Sequence, residues 1–151
     1  MIDTRENILA RLAVIIGTVP NIKFTDRNNS EVDERQLPAL VVFDGDEESN
    51  SAADISTHLP STPSIIRMHP IIEIATMSAT ASSDLSVLRR ELIRLVLYDA
   101  ELNNNIVRTG RNGNGAIRYM GCQTDPTWMR NLDGQMRIQF MFAYSLNPAD
   151  L

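Results

Sequence analysis

One cysteine, one tryptophan, one lysine and two histidines occur among 151 residues. A lone thiol, Cys122, makes no internal disulfide, so packing and hydrogen bonds must hold the fold, as in proteins of a reducing cytoplasm. Cys122 reads as a small buried core residue. His58 and His69 have no Cys or His partner at ligand spacing, which excludes the common zinc patterns. The single lysine, Lys23, leaves Asn112-Gly113-Asn114-Gly115 without the lysine of a phosphate-binding loop, and Rossmann spacing is missing too. That glycine run reads as a turn or tip. No apolar run approaches the roughly 20 residues that cross a bilayer. The opening MIDTRENILA carries Asp3 and Glu6 without a basic lead-in, unlike a signal peptide. Basic charge is also short: the net charge is −5, which argues against a dedicated nucleic-acid binder.

What is present suits one globular domain over residues 1–151. Hydrophobic residues make up 43% and charged residues 22%, and a chain of this length buries roughly 68–70% of its unfolded surface. Thirteen of the 14 basic residues are arginine, the side chain suited to bidentate and stacked contacts at interfaces.

Apolar periodicity places two helices. Ile8, Leu9, Leu12, Ile15 and Ile16 trace one face over 4–19, with Asp3 or Thr4 as cap and Pro20 beyond the end. Leu85, Leu88, Leu92, Leu95 and Val96 trace another over 84–98, with Arg89, Arg90 and Arg94 on the opposite side. Strands are expected near 22–24, over 37–43, 65–77 and 116–122, and over 135–146. In the last of these Met136, Ile138, Phe140, Phe142 and Tyr144 alternate with other residues. Pro70 inside the third strand signals a bulge or an edge. Residues 44–64 read as a long polar loop and 103–115 as a Gly/Asn-rich loop. No βαβ series repeats. The expected fold is therefore α+β: a mostly antiparallel or mixed sheet of four to five strands, with two main amphipathic helices on one face.

The stretch Val41-Val42-Phe43-Asp44-Gly45-Asp46-Glu47-Glu48 poses a question of chemistry. A strand ending in Asp-x-Asp opens several magnesium-dependent phosphotransferases, with the first aspartate as nucleophile. Those enzymes need a downstream lysine and a parallel sheet, and neither is present. No catalytic set, cofactor site or metal site assembles from the remaining residues. Trp128 reads as a core or interface anchor.

The order of elements, with Arg27-Asn28, then Leu37-Pro38-Ala39-Leu40, then Asp44-Gly45-Asp46-Glu47, resembles the tail terminator, or tail completion, proteins of long-tailed bacteriophages, the minor tail protein U type. This resemblance implies a non-enzymatic virion protein. Its subunits form a homohexameric ring on the head-proximal end of the tail tube, end tube polymerisation, and help join tail to head. The implied partners are further copies of the chain, the tube protein and a head-proximal connector or stopper protein. DNA passes through the lumen without specific binding, and no membrane is involved. The candidate interface residues are Arg27, Asn28, Asp44, Asp46, Glu47, Arg89, Arg90 and Arg94. Two alternatives remain: a monomeric or dimeric adaptor that binds another protein through its uncovered sheet face, and a small metal-dependent phosphotransferase using Asp44 and Asp46.

Overall fold

A computed structural model describes residues 3–49, 63–76, 81–110, 115–125 and 134–148. Helix α1 spans Thr4–Gly17 and buries Ile8, Leu9, Leu12, Ile15 and Ile16. Asp3 caps it by accepting the Glu6 backbone N–H at 3.0 Å, which satisfies one otherwise orphaned donor of the first turn. Strand β1 (Phe24–Arg27) follows, then a 3₁₀ turn at Glu34–Gln36, then β2 (Ala39–Ser49) and β3 (Ser64–Thr76). Helix α2 covers Ala81–Leu97, a π-type turn covers Glu101–Ile106, and β4 (Ala116–Asp125) and β5 (Gly134–Leu146) complete the sheet.

The strands form one mixed sheet in the order β1-β2-β3-β5-β4. β1 runs parallel to β2 and every other pairing is antiparallel. The expected α+β architecture is therefore what the chain adopts. Both helices pack on one face, where they meet Leu40 and Val42 of β2, Met68, Ile72 and Ile74 of β3, and Ile138, Phe140 and Phe142 of β5. The period of two along these strands puts every second residue into that core. The other face holds a small cluster of Leu37, Ala39 and Ala75 against Phe24 and Val32. Beside it, Glu73 bonds across the strands to Gln135 and Arg137. Among the described residues, no helix is long and apolar enough to cross a membrane.

Several expectations need correction. Residues 44–49 are not loop, because β2 continues through them and pairs with β3 as far as Ser49↔Ile66; residues 50–62 lie outside the described part. Backbone pairing here overrides the poor strand propensity of Asp and Gly. Of the two readings of Pro70, the bulge is found, on the facing strand, and the edge is not, since β3 is a central strand. Phe43 pairs with Ile71 and Asp46 with His69, so Asp44 and Gly45 together face a residue that has no N–H to give. The 103–115 loop begins inside the π-type turn, which buries Leu102; Val107 is buried just after it. Gly115 pairs with Thr109, and 111–114 lie outside the described residues. Cys122 is exposed on β4, not in the core. Trp128 and His58 also fall outside the described residues.

Candidate functional site

Asp44 follows Leu40 and Val42 on the side of β2 that faces the helices, and four donors meet its carboxylate there. Arg27, the last residue of β1, approaches sideways, with Nε 3.0 Å from Oδ1 and Nη2 3.2 Å from Oδ2. The Asn28 amide donates to Oδ1 at 3.1 Å, and Arg5 of α1 donates to Oδ2 at 3.4 Å. Asn28 sits at φ 56, a left-handed conformation that asparagine tolerates. Its side-chain oxygen in turn accepts the Asp44 backbone N–H at 3.1 Å. The outer edge of the Arg27 guanidinium donates to Glu6 at 2.7 and 3.1 Å, while Arg5 Nε pairs with Glu47 at 3.1 Å. One arginine thus ties α1, β1 and β2 together through two-pronged contacts, the strong geometry for guanidinium and carboxylate.

The electrostatics follow from these contacts. Hydrogen bonding from Arg27 holds the Asp44 carboxyl below its ordinary range against the opposing effect of burial, and Asn28 and the Arg5 charge help. Glu6 is lowered for the same first reason. Arg27 is raised, by Glu6 first and Asp44 second. Nearby, Tyr144 is pushed up to about 12, chiefly by burial and then by the Glu47 and Asp3 charges.

Asp46 and Glu48 point the other way. Directly opposed residues of an antiparallel pair share a face, so Asp46 lies with His69, and Glu48 with Arg67, on the side away from the helices. His69 Nε2 is 3.5 Å from Glu48.

The three arginines of α2 also part company. Arg89 lies over the Tyr119 ring, 5.2 Å from its centroid, and donates to the Tyr119 hydroxyl at 3.1 Å. Arg94 pairs with Glu91 at 2.6 Å along the helix surface. Arg90 is exposed and borders a groove of about 780 Å³ between α2 and residues 19–22. Of the residues singled out in the sequence, Arg27, Asn28, Asp44 and Glu47 come together; Asp46, Arg89, Arg90 and Arg94 do not join them. Arg5 and Glu6 complete the cluster and were missed as site residues. In the sequence Glu6 is one acid near the start of a helix, and nothing in the local pattern marks Arg5.

Chemically the cluster is a clamp. Both Asp44 oxygens are occupied by donors, so the carboxylate is committed to holding three elements in register. Among the described residues, no group of three or more His, Cys, Asp and Glu side chains is placed to hold a metal ion. No family model matches the chain, and no curated protein matches it.

Proposed function

We propose that the protein is a structural subunit of a phage-type tail: a tail terminator that forms a ring on the head-proximal end of the tail tube, stops its growth and helps join the head. The observation that carries this reading is the clamp itself. Arg27, Asn28, Asp44 and Glu47 belong to the very string on which the resemblance rests, and in this fold they fix the end of β2 against α1 and β1. Their job is architectural, and a nucleophilic role for Asp44 would require four donors to leave it. A net charge of −5 also suits a lumen that lets DNA slide, because a basic channel would retain phosphate. The ring's partners are the tube protein and a connector or stopper protein, and its place is the neck of the virion.

Light scattering and negative-stain imaging of the purified chain test this reading. The expected species is a ring of six copies of a 16.9 kDa chain, about 101 kDa. A chain that stays monomeric in solution and also fails to bind tail tubes would refute it. The adaptor reading draws on the second sheet face, where Arg137 and Gln139 are exposed. It predicts a monomer or dimer in the same experiment.

A further inference from the structure

Among the described residues, two patches carry an excess of one sign of charge. At the far end of β2, Glu6, Asp44 and Glu47 share the two guanidinium groups of Arg5 and Arg27 on the helix side. On the second sheet face two carboxylates, Asp46 and Glu48, stand opposite His69 and a single guanidinium group, that of Arg67. Carboxylates therefore outnumber arginines on that open face, where the Glu48 side chain is 65% exposed.

The complementary patch is on α2. Val87, Arg90, Arg94 and Tyr98 recur at spacings of three, four and four, which stacks them along one side of a helix. That side is opposite the buried Leu85, Leu92 and Val96. Val87 is 67% and Tyr98 82% exposed. Two large hydrophobic groups in water flank two arginines, of which Arg94 is in contact with Glu91. Tyrosine and arginine beside apolar surface is the composition of binding hot spots.

The two patches lie on opposite layers of the fold, one on the outside of the helices and one on the sheet face that the helices leave open. A copy that uses its stripe to hold one neighbour keeps its acidic strand end for another. Such a contact is heterologous, and it closes into a ring when the rotation per step allows. We propose that the α2 stripe Val87, Arg90, Arg94 and Tyr98 is the docking surface for a second copy of this chain, which presents Asp46 and Glu48 to the two arginines. The inference rests on the ring reading and assigns its subunit contact.

Charge exchange tests it. R90E/R94E and D46K/E48K each change exposed positions, so both variants should keep the wild-type circular dichroism spectrum. Each alone should lose the ring and run as monomer. Mixed in equal amounts they should regain the wild-type mass, because every contact then pairs opposite charges and the two variants alternate around an even-membered ring. Tyr98→Ser should raise the protein concentration needed for assembly about tenfold, as expected for a hot-spot side chain. Rings formed by either charge variant alone, or a folded mixture that stays monomeric, would overturn this contact and leave the ring reading standing. A wild-type chain that is monomeric at every concentration, and beside tail tubes, would overturn both.

Discussion

Asp44 shows how one carboxylate can set the acid limit of a fold. Its pKa, like those of Glu6 and Asp99, lies below the ordinary value because an arginine donates to it. A depressed carboxylate stabilises the fold above its unfolded pKa, roughly 4, and that contribution disappears as pH falls through the folded value. Denaturant unfolding should therefore show stability falling steeply below about pH 4. Asp44→Asn should cost about 1–2 kcal/mol at pH 7, since the clamp is strong in geometry but partly solvated. It should also flatten the acid slope; an unchanged slope would remove Asp44 as its source. Tyr144 sets the opposite limit. Its phenol is raised to about 12, so its contribution holds below the unfolded value near 10 and fades as pH climbs toward the folded one.

At the scale of elements, the bulge in β2 decides where its acidic end points. Gly45 sits there at φ 70, and a Cβ at this position would meet the His69 carbonyl. Gly45→Ala therefore brings both left-handed strain and a backbone collision, and should destabilise by about 2–4 kcal/mol on chemical denaturation. A change within experimental error would mean that the strand can re-register. The same element marks the limit of what the sequence made legible. Helices α1 and α2 and the alternation of β5 could be read directly, because burial of one face imposes a period. β2 beyond Phe43 could not, because Asp-Gly-Asp-Glu-Glu has the composition of a turn and becomes strand only through its ladder with β3. The π-type turn was hidden by Asn103, Asn104 and Asn105, although Leu102, Ile106 and Val107 kept a helical spacing. The acid and arginine partners Asp44 and Arg27 stood 17 residues apart, and only the parallel pairing of β1 with β2 brings them together.

For the whole molecule, the sheet order carries a consequence for synthesis. β5 comes after every other strand in the chain, yet it lies inside the sheet, between β3 and β4. Its contacts reach far back: Leu146 pairs with Ser64 and Gly134 with Thr76. Long-range pairings of this kind are slow to form, since loop closure must precede the contacts that reward it. Until residues 134–146 have left the ribosome, β3 keeps an open edge beside its half-formed core, and β4 has no strand to pair with. Such edges are templates for pairing between chains. A nascent copy therefore passes through an interval in which it can stick to its neighbours in the wrong way, before it has the surfaces to meet them in the right one.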